Sequence, residues 1–211
     1  MSWLRRCTLL WITLLLVLPA AASQPPRIVV LGDSISAAYG MAPEAGWVSL
    51  WQPRLASAGL PHQLINASIS GNTSGDGLAR LPRLLQEHQP QWVIIELGGN
   101  DGLRGYPLKT IRHNLQQLIS LSRAAGAQVA LIGMAIPPSY GKRYSEQFRA
   151  LFSQLATEQQ VQLIPGFLDD IARDPLLMQD DGIHPTAAAQ PQLSAQLEQQ
   201  LQPLLTVPGG K

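Results

Sequence analysis

The chain has 211 residues, 45% of them hydrophobic and 14% charged, with a formal net charge of +1. That length allows one domain with a sizeable core, the composition excludes a disordered chain, and the charge balance leaves no electrostatic footprint for nucleic acid. The N-terminus reads as a targeting segment. Arg5 and Arg6 form a short basic stretch, residues 9–18 are apolar, Pro19 breaks the run, and Ala20-Ala21-Ala22 offers a cleavage site. We expect a cleaved signal peptide over 1–22 and a single domain over 23–211; an uncleaved N-terminal anchor is the alternative. The apolar run is short for a membrane span. Cleavage takes Arg5 and Arg6 from 15 basic residues, leaving 13 against 14 acidic ones. It also removes Cys7, the one cysteine. The mature chain, periplasmic or secreted, then has no disulfide, no cysteine nucleophile and no thiolate metal site.

The rest alternates strand and helix patterns. Residues 27–31 are a short β-branched run and predict strand one. Residues 46–58 carry Trp47, Val48, Leu50, Trp51 and Leu55 and predict a helix despite Pro53. Residues 62–67 predict strand two. Leu78, Leu81, Leu84 and Leu85 give a helical stripe that ends before Pro90. Residues 92–97 form an apolar run broken only by Glu96, as in a buried strand. Leu108, Ile111, Leu115, Leu118 and Ile119 recur at helical spacing. Strand four follows over 128–133, a helix over 144–159 and a last strand over 161–164. Residues 186–204 close as a helix with Pro191 in its first turns. Five strands separated by helices predict an α/β fold: a flavodoxin-like, doubly wound parallel sheet in three layers, α/β/α.

This order places the chemistry. In open parallel sheets the loops after the strands share one edge. Gly32-Asp33-Ser34 follows strand one, Ser68 to Gly71 strand two, and Gly98-Gly99-Asn100-Asp101 strand three. Asp181-Gly182-Ile183-His184-Pro185 lies in the loop before the last helix, which can return to that edge. A serine hydroxyl needs an adjacent base to act as a nucleophile. Ser34 is the candidate nucleophile, with Gly32 expected to permit a sharp turn. His184, kept extended by Pro185, is the candidate base, and Asp181 can fix its tautomer. The Ser34 N–H, the Gly71 N–H and the Asn100 amide can converge on one oxyanion. Each string alone has a blander reading as a turn or a cap; together they point to a serine hydrolase. Trp47, Trp51 and Trp92 read as core, and His62, His88 and His113 as structural.

Competing motifs fail. The string Gly32-Asp33-Ser34-Ile35-Ser36 lacks the second glycine of an α/β-hydrolase elbow. No phosphate-binding P-loop or dinucleotide fingerprint occurs. A metallophosphoesterase could draw on Asp33, Asn100, Asp101, Asp181 and His184, but such sites want several histidines, so no metal and no cofactor are expected.

The segments 28–34 (IVVLGDS), 68–71 (SISG), 96–105 (ELGGNDGLRG) and 178–185 (MQDDGIHP) resemble the SGNH, or GDSL-type, hydrolase family over nearly the whole mature chain. The resemblance implies that Ser34, Asp181 and His184 form the triad, that Ser34, Gly71 and Asn100 form the oxyanion hole, and that Asp33 is structural. It also implies a charged residue at Ala135, whose absence bears on substrate preference. The expected activity is hydrolysis of acyl esters or thioesters, lysophospholipid among them, through an acyl-enzyme. Leu103, Tyr106, Ile136 and Pro138, with Pro137 and Tyr140, are candidates for the acyl pocket. The loop over 102–107, with Gly102 and Gly105 as hinges, reads as a lid. The expected partners are a small-molecule substrate and a transient lipid contact, with no obligate protein partner. A carbohydrate acetylesterase or a non-catalytic binding module on the same scaffold are the alternatives.

Overall fold

The computed structural model describes residues 24–205. The signal-peptide reading of 1–22, and Cys7 with it, lies outside the described residues. Five strands, β1 (Arg27–Gly32), β2 (Gln63–Asn66), β3 (Trp92–Glu96), β4 (Gln128–Ile132) and β5 (Gln162–Ile164), form one sheet in the order β2-β1-β3-β4-β5. Every pairing is parallel, as the doubly wound reading expects. The helices are α1 (Trp47–Ser57), α2 (Ser74–His88), α3 (Gly99–Leu103), α4 (Leu108–Ala124), α5 (Lys142–Gln159) and α6 (Gln190–Leu205).

Side-chain alternation along the strands builds two cores. Ile28 and Val30, Trp92 and Ile94, and Ala130 and Ile132 pack with Trp47 and Trp51 of α1 and Leu193 and Leu197 of α6. Leu31, Val93, Ile95, Val129 and Leu131 face the other way, toward Leu81 of α2, Leu115 of α4 and Phe148 of α5. A strand buried on both faces must be apolar at every position, which is why residues 92–95 carry no polar side chain. Each fully buried large apolar side chain contributes about 1.5–3 kcal/mol.

Differences from the sequence reading lie at ends. Helix α2 begins four residues before its first leucine. Thr73 Oγ1 accepts from the Asp76 N–H at 3.2 Å while the Asp76 carboxylate accepts from the Thr73 N–H at 2.8 Å, a capping box that closes the helix ahead of its apolar stripe. Helix α6 is preceded by a separate 3-10 turn over Ala187–Ala189, with Pro191 in its first turn as expected.

The helix α3 was not expected. Its sequence, GNDGL, has poor helix propensity, and packing supplies the reason for glycine at position 102. A Cβ on Gly102 would lie 2.7 Å from Phe148 Cε2 and 3.0 Å from Ile136 Cγ2. Gly102 is therefore a close-packing residue inside a helix rather than a hinge. Gly105, with φ +68° and no neighbour within 4 Å of a built Cβ, keeps the turn role. Gly102→Ala is expected to lower stability by about 1–3 kcal/mol, as overpacking of a tight core does. Urea melts of the two proteins measure it. An unchanged or raised midpoint would mean that helix propensity outweighs the contact.

Candidate active site

Parallel pairing sets Gly32 opposite Glu96, so the turns after β1 and β3 leave the sheet side by side. Ser34 sits in the first, 8% exposed. Its hydroxyl lies 2.8 Å from His184 Nε2, across 150 residues of sequence. His184 Nδ1 is 2.6 Å from Asp181 Oδ2. An ionised carboxylate only accepts, so Nδ1 carries the proton and Nε2 is left to accept from Ser34. The Asp181 carboxylate is oriented by its own loop: Oδ1 accepts from the Ile183 N–H at 2.9 Å and the His184 N–H at 3.0 Å. Desolvation pulls its pKa upward, but the hydrogen bonds from the His184 backbone and imidazole and from Ile183 outweigh it and hold the carboxyl at about 2.

Gly71 follows the end of β2 with φ +79°, in the left-handed region that favours glycine. Its carbonyl accepts from Arg104 Nη2 at 3.1 Å. Among the described residues neither the Gly71 N–H nor the Ser34 N–H has a hydrogen-bond acceptor. Asn100, in the first turn of α3, donates through Nδ2 to Asp33 Oδ2 and to the Asn72 carbonyl, both at 3.0 Å. The three oxyanion candidates thus lie on turns that leave one sheet edge, two of them with free N–H groups.

Two readings change. Gly32 is the last residue of β1, not a turn residue. A Cβ there would lie 2.6 Å from Glu96 Oε2 and 2.8 Å from Ser36 Oγ, so glycine is needed to admit a buried carboxyl. Asp101, weighed above as a metal ligand, is fully buried, and its carboxylate accepts from the Ser74 N–H at 2.8 Å and the Ser74 hydroxyl at 2.5 Å. It tethers the start of α2. Among the described residues no group of three or more His, Cys, Asp or Glu side chains could hold a metal ion.

The acyl-pocket candidates scatter. Leu103 is half-buried against the core on the α2, α4 and α5 side. Ile136 is 6% exposed in that same core and offers little surface to a ligand. Tyr106 is exposed and its carbonyl accepts from the Tyr144 hydroxyl at 2.7 Å. Pro138 opens an exposed 3-10 turn over Pro138–Tyr140. A cavity of about 340 Å³ lies at the ends of β4 and β5, lined by Met134, Ala150, Phe152, Leu163 and the Arg149–Asp169 ion pair. A Cβ on Gly99 would stand 3.5 Å from Met134 Cε, so one lining residue of the cavity packs against the residue before Asn100.

Three residues escaped the sequence reading. Glu96 is buried among the site's turns, and its signal was the one charge in an apolar strand. The Tyr39 ring lies 4.3 Å from the His184 imidazole at a 34° tilt. Gln179 Nε2 donates to the Tyr39 and Pro185 carbonyls, each at 2.9 Å, and so joins the serine loop to the histidine loop. Neither Tyr39 nor Gln179 has a sequence signal.

Asp181 sets a measurable pH dependence. Its pKa falls from 3.8 to about 2 on folding, so its contribution to stability is complete above about 3.8 and is lost as pH falls through about 2. Its side chain is 39% exposed, so the effect is small. Asp181→Asn is expected to lower the melting temperature slightly at neutral pH, with the gap to the parent closing as pH drops below about 4. A gap that stays constant down to about pH 2 would mean that the carboxylate gains nothing on folding.

Residues 30–190 match the GDSL-like lipase/acylhydrolase family. The chain is 48% identical over 193 residues to an arylesterase of Vibrio mimicus, covering 92% of this chain and 96% of that one. It is 44% identical over 195 residues to thioesterase 1/protease 1/lysophospholipase L1 of Escherichia coli K12, covering 90% of each. The crystal structure of the psychrotrophic esterase EstA from Pseudoalteromonas sp., inhibited by monoethylphosphonate, superposes with a TM-score of 0.82 at 44% identity, over 86% of this chain and 99% of that one. The fold, the four motifs and these matches agree: the chain belongs to the GDSL-like lipase/acylhydrolase family.

Proposed function

We propose that this protein is a serine hydrolase of acyl esters and thioesters that works through an acyl-enzyme. The observation that carries the proposal is the unbroken relay from Asp181 to His184 to Ser34, with contacts of 2.6 and 2.8 Å. Ser34 Oγ attacks the acyl carbonyl as His184 Nε2 takes its proton, and Asp181 stabilises the imidazolium. The departing alcohol or thiol takes that proton from His184. Water then repeats the sequence on the Ser34 ester. No step requires a metal or a cofactor.

The oxyanion is held by the Ser34 and Gly71 N–H groups and by Asn100 Nδ2. Both Nδ2 hydrogens are engaged in this state, so the oxyanion must compete for one of them. A developing negative charge is a better acceptor than the neutral Asn72 carbonyl. That exchange is realised only as the charge forms, which puts the benefit in the transition state. Leu103 and Tyr106, at and just after the end of α3, keep surface for the start of an acyl chain, and the cavity lined by Met134 and Phe152 takes a longer one. We place the enzyme in the periplasm or outside the cell, delivered by residues 1–22. Coenzyme A esters are scarce there, which favours lysophospholipids and other lipid esters. Among the described residues no helix is long and apolar enough to cross a membrane.

The test is turnover of p-nitrophenyl esters from acetyl to decanoyl, with lysophospholipid in parallel. Broad activity through medium chains supports the proposal, a lone acetyl optimum favours an acetylesterase, and no turnover favours a binding module. Ser34→Ala should lower kcat by roughly 10⁴-fold with little change in melting. A phosphonate should label Ser34, while a chelator should leave activity intact. Full activity in purified Ser34→Ala would refute the mechanism. Separately, Ala150→Phe fills the cavity and should depress decanoyl turnover about tenfold or more relative to acetyl turnover, the low end of what one lost methylene contact costs. Equal losses on both esters would place the chain elsewhere.

A further inference from the structure

A buried pair of carboxyls stands behind the oxyanion side of the site. Glu96, at the end of β3, is fully buried. Its Oε2 accepts from the Asp33 N–H at 3.2 Å and the Ser36 hydroxyl at 2.7 Å. Its Oε1 has no donor. Asp33, whose N–H thus holds Glu96, is itself 2% exposed, so the two carboxyls share one dry pocket. The Asp33 oxygens receive further donors: Oδ1 from the Ile35 N–H at 3.1 Å, and Oδ2 from Asn100 Nδ2 at 3.0 Å. Two ionised carboxylates can neither donate to each other nor share a dry site cheaply. One proton between them removes both problems, as in other carboxyl dyads.

We infer that Glu96 is a positioning residue that works in its protonated form, donating to Asp33 so that the Asp33 carboxylate can hold the Asn100 amide toward the reacting carbonyl. This rests on the proposed role of Asn100 as an oxyanion donor. The ionised acceptor takes one Nδ2 hydrogen in a charge-assisted bond and fixes the amide plane. The other hydrogen, on the Asn72 carbonyl, is then the one free to turn to the oxyanion. Gly32 belongs to the same device, since any side chain there would displace Glu96.

Electrostatics agree with the geometry. Burial pushes Asp33 up to about 6, opposed by its hydrogen bonds and by His184. Burial, and then the Asp33 charge, push Glu96 well above its ordinary 4.5. The pair therefore keeps a proton, which belongs on Glu96 as the more deeply buried acid. The charged or titratable groups facing the pair are His184, on the Asp33 side, with Asp181 behind it. The groups from β1, α3 and the serine turn that reach the carboxyls (the Asp33 and Ile35 N–H, Ser36 and Asn100) are neutral.

Glu96→Gln tests this directly, because a glutamine reproduces the neutral acid. Its Nε2 can donate to Asp33 while its oxygen accepts from the Asp33 N–H and Ser36. Glu96→Ala removes both. We expect Glu96→Ala to lower kcat about tenfold or more with KM nearly unchanged, short of the ~10²–10³-fold loss from deleting an oxyanion donor. Glu96→Gln should recover most of that loss and should lack the alkaline decline that ionisation of Glu96 imposes on the parent. A second readout is independent of catalysis. Because the folded state keeps a proton that the unfolded state has lost, parent stability falls as pH rises above about 4.5 toward the folded pKa. Glutamine does not titrate, so the melting temperature of Glu96→Gln should gain on the parent as pH rises above about 4.5. A gap that stays flat or shrinks would overturn the inference by showing an ionised Glu96. Parental kcat per folded molecule in Glu96→Ala would overturn it too, making the pair mere packing. If Glu96→Ala does not fold, the pH profile and melting of Glu96→Gln decide alone. Should Ser34→Ala stay active, the catalytic reading fails, and the melting gap still reports where the proton is.

Discussion

The register that sets Gly32 of β1 against Glu96 of β3 is the constraint on which the site depends. Parallel strands end at the same edge, so this pairing brings the Ser34 turn and the Asn100 turn together without any direct bond between their backbones. Slipping it by one residue would exchange the faces of every side chain on β1. Ile28 and Val30 would leave Trp47 and Trp51, and the Glu96 carboxyl would lose the space that Gly32 provides. Core packing and site assembly are therefore one requirement. The apolar residues that make β1 and β3 indispensable to the two cores also hold the edge on which the chemistry is built.

The sheet was legible in the sequence because buried parallel strands and amphipathic helices leave different periods. All five strands and the five longer helices follow from that pattern, with ends displaced by a few residues. The displaced ends have local causes: α2 starts early because the Thr73–Asp76 box caps it, and the 3-10 turn before α6 needs no apolar period. Helix α3 was illegible for a different reason. Two of its five residues are glycine, and only the Phe148 ring and the Ile136 side chain, distant in sequence, explain why position 102 must be glycine.

The site was legible to the extent that its chemistry needs particular side chains. In the proposed mechanism the nucleophile, base, orienting carboxylate and donors are groups that the strings around Ser34, His184, Asp181, Gly71 and Asn100 suggest, and the fold brings the first three into bonding distance. Residues that act through backbone carbonyls or ring faces do not. Gln179 grips two carbonyls and Tyr39 lies over an imidazole, and either could have been any surface residue in the sequence. The carboxylates illustrate the limit well. Asp181 and Asp33 are the same side chain, yet one is held at about 2 and the other pushed to about 6. The first is half-exposed among N–H donors of its own loop, the second is buried against an acid 63 residues away in sequence, and that second environment is not written in the neighbouring residues.

The two contacts of the relay differ in their span. Asp181 and His184 are three residues apart in a loop that supplies its own backbone donors. Ser34 and His184 are joined across 150 residues by one hydrogen bond, with the Gln179 clamp and the Tyr39 ring as further ties between the two loops. On warming, the local pair survives as long as its loop keeps its shape, whereas the bridge fails once the loops drift apart. Heat inactivation should thus set in below the temperature at which the two cores melt, and it should reverse on cooling, because the sheet edge that aligns the loops is still intact.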